Sequence, residues 1–236
     1  MSEVVSLSRW PVKSLRGEQV TAARFDERGM AGDRAYALLD ERPNRVGNIV
    51  TVRQNQSLLS WSAHYGDRPD PVDSPTLVGP ESQQLSWDDP ALTGELSKSL
   101  DIPVRLNPAD GQQDRGPTVL VTFESSRRGL GEELGADVDL RRFRTNLHVG
   151  GDLPPFAEQD WEPGTTITVG DVELAVTGEH SGPCIRCAVP SWDAEGRERW
   201  RELQAHLIQR HENKFGVIMR VTRPGTVAVG DAVAAG

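Results

Sequence analysis

Apolar residues alternate with polar ones over 2–10, where Val4, Val5, Leu7 and Trp10 mark a first β-strand that ends in a turn at 11–17. Two more strands are predicted at 19–25 and 34–39, separated by the turn signals Glu27-Arg28-Gly29 and Ala31-Gly32-Asp33. A further strand is predicted over 58–64. Residues 66–83, rich in Asp, Pro, Ser and Gly, read as loop. A short helix is expected over 89–100, with Asp89 as cap and Pro90 in the first helical position. The stretch 103–117 carries Asn107, Pro108, Asp110, Gly111 and Gly116, which places a soft domain boundary near residue 110. Beyond it the pattern predicts strands at 118–123, 146–149, 166–169 and 172–177 and a polar helix at 124–134. The clearest helical periodicity covers 197–212, with Trp200, Leu203, Leu207 and Ile208 on one face. Strands at 217–221 and 226–229 close the chain. No internal repeat is visible. The fold class is therefore mainly β with a few helices (α+β), in two regions, 1–110 and 111–236.

Composition sharpens this picture in two ways. The 23 glycines and 16 prolines are spread along the chain, which favours many short strands and turns over long helices. A formal charge of −9 argues against general nucleic-acid binding, which depends on Lys and Arg neutralising phosphates. There is no apolar run near the roughly 20 residues needed to span a bilayer, and the first ten residues lack the basic start and apolar core of a secretory signal. No membrane association and a cytoplasmic setting are expected.

The two cysteines, Cys184 and Cys187, stand three apart, a spacing that cannot staple a fold, so their purpose is chemical. A C-x-x-C alone admits a redox dithiol, part of a zinc site or two unrelated thiols. The thioredoxin arrangement needs a helix after the pair, whereas here Val189-Pro190 and a turn at Asp193-Ala194-Glu195-Gly196 follow. Zinc would find only His180, Cys184 and Cys187 locally, with His206 or His211 as distant candidates. His180 itself reads more simply as a surface or capping histidine in a Gly-Ser turn. A basic run, Arg141-Arg142-Phe143-Arg144, stands out against the acidic background, although such a run is commonly a solvated face. If its neighbourhood converges with Lys13, Arg34, Arg53 and Arg186, the result is a cationic pocket for an anionic ligand held by guanidinium contacts.

Taken in order, Pro11-Val12-Lys13-Ser14, Gly32-Asp33-Arg34, Thr51-Val52-Arg53-Gln54, Arg142-Phe143-Arg144 with Asn146, Gly170-Asp171 and Arg186-Cys187 resemble MOSC proteins that carry the MOSC N-terminal barrel region, the group that includes amidoxime-reducing components and their bacterial counterparts. Trp161, Phe215-Gly216, Pro224-Gly225-Thr226 and Gly230-Asp231 add to the match, which runs from about residue 4 to residue 232. The resemblance implies a MOSC β-barrel with an associated N-terminal β-rich region. It also implies a molybdenum-molybdopterin cofactor with Cys187 as the thiolate ligand of the metal and the catalytic residue. Lys13, Ser14, Arg34 and Arg144 would hold phosphate and pterin, with Arg53 and Arg186 in the same binding set. Arg142 and Asn146 come second, because a stretch that alternates as a strand sends only some side chains into a pocket. Pyridoxal phosphate is a lesser expectation for a phosphate-bearing occupant.

The implied activity is reduction of N-hydroxylated or S-oxide small molecules. The alternatives are a carrier of molybdenum cofactor or of persulfide sulfur on Cys187, and a binding module without cofactor. No ferredoxin, flavin or dinucleotide motif is present, so electrons are expected from a separate protein: a ferredoxin, a cytochrome b5-like protein or a flavin reductase. Thr145 where relatives carry proline, Arg115-Gly116-Pro117 and Val189-Pro190-Ser191 depart from the family pattern on the substrate side of the site.

Overall fold

The computed structural model describes residues 2–107, 116–177 and 191–235. In chain order the first half contains β1 (Ser2–Arg9), β2 (Glu18–Val20), β3 (Ala22–Asp26), β4 (Gly29–Met30), β5 (Ala37–Asp40), β6 (Ser62–His64), β7 (Thr76–Val78), β8 (Gln84–Ser86), helix α1 (Leu92–Leu100) and β9 (Val104–Asn107). The second half contains β10 (Val119–Phe123), α2 (Glu124–Leu134), β11 (Leu147–Gly150), β12 (Thr166–Val169), β13 (Val172–Val176), α3 (Arg201–Arg210), β14 (Val217–Arg223), β15 (Gly225–Ala228) and β16 (Ala232–Ala235). Among the described residues no helix is long and apolar enough to cross a membrane.

Seven strands close into a barrel in the order β1-β11-β10-β14-β13-β12-β16, with β16 returning to β1. β1 can serve both neighbours because it is long: Glu3 to Leu7 pair with β11, while Ser2 and Glu3 pair with β16 on the other side. Its far end, Leu7 to Arg9, pairs with β2. Side-chain alternation then sorts the core. Val119, Val121 and Phe123 of β10 and Val217 and Met219 of β14 point into the barrel, whereas Leu120 and Ile218 between them join an outer cluster with Leu203 and Leu207 of α3 and Leu130 of α2. A strand covered on both faces is buried along its whole length and reads as near-continuously apolar, and Val119–Phe123 is buried throughout with Thr122 as its one polar residue. A three-stranded sheet, β15-β3-β4, contributes Ala23, Phe25, Met30 and Val227 to the same barrel core.

The remaining elements build a second core around Trp61, under the pair β5-β9, the sheet β6-β7-β8 and α1. The two halves are stitched together, since β3 of the first pairs with β15 of the second and the first strand completes the barrel. The expected boundary near residue 110 lies outside the described residues.

Several elements differ from the pattern reading for physical reasons. The strand expected at 58–64 is a 3-10 turn, Gln56–Ser60, followed by β6. Leu58 and Leu59 are both buried, which consecutive strand residues with one covered face cannot be, and the Asn55 side chain accepts from the Ser57 amide to start the turn. Inside the expected loop 66–83 lies β7, pinned by the fully buried Leu77. Helix α1 begins at Leu92 because Asp89 Oδ1 accepts from the Ala91 amide at 2.8 Å and turns the chain before it; Leu92, Leu96 and Leu100 then bury one face. Helix α3 is shorter than the expected 197–212, since Asp193 Oδ1 captures the amides of Arg197 and Glu198 at 2.6 and 3.1 Å. Leu203 and Leu207 face the core as expected, but Ile208 is 56% exposed. By contrast α2 and β12 occupy the expected spans, and α2 stops at Gly135 in the left-handed conformation.

Candidate functional site

After β1 the chain turns sharply through Pro11-Val12-Lys13-Ser14-Leu15-Arg16-Gly17, and this turn is held from three sides. Residues 33–36 hold the first: Asp33 Oδ1 accepts from the Trp10 amide at 2.9 Å, the Arg34 amide donates to Trp10 O at 2.7 Å, and the Lys13 amide donates to Tyr36 O at 2.8 Å. The segment before β11 holds the second: Trp10 Nε1 donates to Thr145 O at 2.9 Å, and an Arg144 guanidinium nitrogen donates to Leu15 O at 2.7 Å. On the third side the Arg16 amide donates to Trp61 O at 2.9 Å. Gly17 is required where the turn folds back, because a Cβ there would stand 2.1 Å from Arg9 O. Gly32, at φ +76, precedes Asp33, and a Cβ there would meet the Tyr65 ring at 2.8 Å.

The three segments that carry Lys13-Ser14, Asp33-Arg34 and Arg144-Asn146 therefore do converge. Ser14, Arg34 and Arg144 share one further property: each is a non-glycine residue with positive φ, at 72°, 48° and 57°. Such conformations cost about 1–3 kcal/mol each, persist only where surroundings impose them, and gather at binding and catalytic sites.

The basic run is not a strand. Leu140–Arg142 form a 3-10 turn, Asp139 caps it, Phe143 stacks on Phe215 at 4.0 Å, and the strand begins only at Leu147. The alternation expected for Arg142, Arg144 and Asn146 thus gives way to individual placement. Arg144 is buried, with its guanidinium over the Trp10 ring at 4.4 Å. Arg142 is half-buried over the Trp200 ring at 5.6 Å. Arg34 is buried, ion-paired with Asp33, and donates to Asn146 Oδ1 at 3.2 Å and to Arg144 O at 3.1 Å. Asn146 is buried as well; its Oδ1 also accepts from the Leu120 amide at 3.1 Å, and its Nδ2 donates to Ser8 O at 3.3 Å.

Beside this assembly lies a cleft of about 240 Å³. Its wall carries Arg16, Arg141, Arg142 and Arg144 against two carboxylates, Glu18 and Asp193, with Trp10 and Trp192 as aromatic surfaces. Glu18 is paired with the fully buried Arg9 at 2.8 Å, and Arg141 with Asp139 and Glu195 at 2.8 and 3.2 Å; among the lining residues four guanidinium groups stand against two carboxylates. Arg16 lines this wall while its Nη2 donates to Ser60 O at 3.1 Å. Arg53 is exposed and lies apart from this wall. Lys13 and Ser14 belong to the converging turn without lining the cleft. Cys187, Arg186, Cys184 and His180 lie outside the described residues.

Sequence reasoning missed Trp10, Arg16 and Trp192 as cleft residues; only the adjacency of Arg16 to the Lys13-Ser14 motif could have pointed to it. It also missed a buried relay behind the cleft. Thr145 Oγ1, Thr122 Oγ1 and His148 Nδ1 follow one another at 2.8 and 2.9 Å, and His148 Nε2 meets Glu124 Oε2 at 3.0 Å. Burial pushes the His148 imidazole pKa down, against the Glu124 carboxylate, so the ring is neutral. A carboxylate only accepts, so Nε2 carries the ring proton, Nδ1 accepts from Thr122, and Thr122 in turn accepts from Thr145.

Glu124 also bonds Arg127 Nε at 2.8 Å, and that guanidinium, with the His148 hydrogen bond, outweighs partial burial and holds the carboxyl pKa down to about 2. A depressed carboxylate pKa contributes stability above the ordinary range, and that contribution is lost as pH falls from 4.5 through about 2. Glu124→Gln is accordingly expected to lower the melting temperature at pH 7, by an amount matching on the order of 1 kcal/mol for a partly exposed pair. The gap to the wild type should close on acidification. Melting curves that coincide at pH 7 would remove Glu124 from the stability account.

Comparison with known proteins agrees with this architecture. The MOSC domain profile matches residues 111–234, and the MOSC N-terminal beta barrel domain profile matches residues 1–112. Mitochondrial amidoxime-reducing component 1 of Mus musculus is 23% identical, the match covering 98% of this chain and 81% of the relative. The Homo sapiens protein of the same name is 24% identical over 98% of this chain and 82% of its own length. Among solved structures, the YuaD protein from Bacillus subtilis superimposes with a TM-score of 0.51 at 15% identity, covering 99% of this chain and 94% of that one, a likeness of fold. With one profile spanning each half and the barrel closed as described, the chain belongs to the MOSC domain family and carries the MOSC N-terminal beta barrel region ahead of its MOSC domain.

Proposed function

We propose that this protein is a molybdenum-cofactor-dependent reductase of N-hydroxylated or S-oxide compounds, with Cys187 as the sulfur ligand of the metal. The observation that carries the reading is the arginine-lined, aromatic-walled cleft that lies beside the convergence of the 10–17, 33–36 and 142–146 segments and is walled on its other side by Trp192, Asp193 and Ala194. A pterin phosphate suits it: the four guanidinium groups of its wall can give charge-assisted hydrogen bonds to phosphate. Trp192, on the cleft wall, is five residues after Cys187, a covalent reach of at most about 18 Å. A thiolate is the soft donor that such a metal favours. The relatives named for amidoxime reduction supply the reaction class.

In this reading Arg16, Arg142 and Arg144 bind the cofactor's anionic end, and Lys13 and Ser14 present the turn that borders it. Arg34 and Asn146 act through Arg144, holding its carbonyl and the strand behind it. Arg186 stands next to Cys187 in sequence and belongs to the same proposed binding set. When bound, the molybdenum centre supplies the two-electron chemistry that removes oxygen from the substrate. Converting N–OH to N–H consumes two electrons and two protons and releases water, and the electrons come from a separate donor protein of the ferredoxin, cytochrome b5-like or flavin reductase kind.

The test is turnover. Molybdenum-loaded protein is expected to reduce benzamidoxime with dithionite-reduced viologen and to be inert with NADPH until a reductase is added. Absence of turnover in fully loaded protein would favour a carrier of cofactor or persulfide sulfur instead.

A further inference from the structure

Three side chains at the ends of α2 and α3 play no part in the cleft. Glu133 occupies the last turn of α2, His206 lies on α3, and His211 caps the C-terminus of α3. Both imidazoles address the same atom: His206 Nε2 is 2.6 Å and His211 Nε2 2.7 Å from Glu133 Oε2. All three ligand-type atoms lie within 4.8 Å of one another. Five residues along a regular helix would set the two rings roughly 140° apart. The chain leaves the helix at His211, φ −130° and ψ 23°, and the ring centroids come to 5.7 Å. Phe156 lies against the His211 ring at 4.1 Å, fixing one face of it.

The three ligand-type atoms are drawn together by hydrogen bonds, at separations a small opening would bring to those of a metal site. Zinc bonds of about 2.0–2.2 Å in a tetrahedron set neighbouring ligand atoms about 3.3–3.6 Å apart. From 2.6 and 2.7 Å the carboxylate oxygen has to withdraw by about 0.6–1 Å, and the Glu133 side chain, 34% exposed, is placed to do so. His211 is 8% and His206 21% exposed, so the cluster is sunk on one side and open to water on the other. Two imidazoles and one carboxylate select a first-row transition ion over calcium or magnesium, which prefer oxygen ligands throughout. The C-terminal ends of both helices add partial negative charge beside it.

We propose that Glu133, His206 and His211 bind a divalent transition-metal ion of the zinc class, with a fourth position left to water, and that this ion braces α2 against α3. The histidines thus serve a site of their own, in place of the distant partnership with Cys184 and Cys187 that the sequence suggested. The proposal is independent of the cofactor reading.

The test uses the full chain carrying Cys184→Ser and Cys187→Ser, so that no thiolate competes, stripped with a chelator and titrated with zinc sulfate. One zinc per chain is expected to bind and to raise the melting temperature. Adding His206→Ala, His211→Ala or Glu133→Gln is expected to weaken binding at least about tenfold, since removing a ligand should cost no less than removing an outer-shell partner. Unchanged affinity in these variants, or loss of all zinc binding with the cysteines alone, would overturn the proposal. Anomalous scattering at the zinc edge, from crystals of the double cysteine variant, decides the matter even if a histidine variant fails to fold. A peak among the three side chains supports the site, and a peak elsewhere, or none at saturating zinc, refutes it.

Discussion

Cys187→Ser is expected to abolish molybdenum retention and all reductase turnover while the cofactor-free protein melts as the wild type does. Serine is nearly isosteric with cysteine, but its hydroxyl is a hard donor that stays protonated at neutral pH, so the substitution removes the metal bond without disturbing packing. Cys184→Ser should retain most of the metal, because the proposed centre takes one protein thiolate. The measurement is molybdenum per chain after purification from a cofactor-producing host, followed by benzamidoxime reduction. If both single variants kept full occupancy, the assignment of Cys187 as ligand would be wrong.

Arg34→Ala should act on the fold itself. Arg34 and Asp33 are both 3% exposed, and the Asp33 carboxylate also accepts from the Trp10 amide. Removing the guanidinium takes an ion-pair partner from the buried Asp33 and a donor from Asn146 Oδ1 and Arg144 O, which places the loss at about 3 kcal/mol. Arg34→Lys should rescue little, since an ammonium cannot reproduce the fork that reaches three acceptors. Arg142→Ala provides the contrast: half-buried at the cleft, it should leave the cofactor-free protein near wild-type stability and weaken cofactor binding, by about 1.5–3 kcal/mol for a charged hydrogen bond. Urea unfolding of cofactor-free protein separates the two. A loss below about 1 kcal/mol for Arg34→Ala would show that the buried pair is no keystone of the turn.

That contrast shows where the sequence stopped. Lys13, Arg34, Arg53, Arg142 and Arg144 look alike as basic residues in turns, and nothing local separates a guanidinium that faces a cleft from one buried against Asp33. Burial is decided by what a distant segment brings: Trp10 lies beneath Arg144, Asn146 Oδ1 and Arg144 O meet Arg34, and Arg53 stays exposed. The His148 relay was invisible for the same reason, since Glu124, Thr122, Thr145 and His148 meet only because β10 and β11 run parallel in register.

What the sequence determined by itself was the class of fold, the main strands of the barrel and helix α2, together with the set of motifs that places the chain in its family. These are short-range properties. A period of two over Thr166–Val169 or a glycine after Leu134 acts within a few residues, and the backbone responds to it wherever the segment lies. Tertiary structure decided the rest: that the first strand closes the barrel, that Gln56–Ser60 coils so that Leu58 and Leu59 both reach the second core, and that Ile208 faces water. It alone also set Glu133 between two histidines more than seventy residues away. Those outcomes depend on which surfaces the closed barrel leaves uncovered, a quantity that exists only once distant strands have paired.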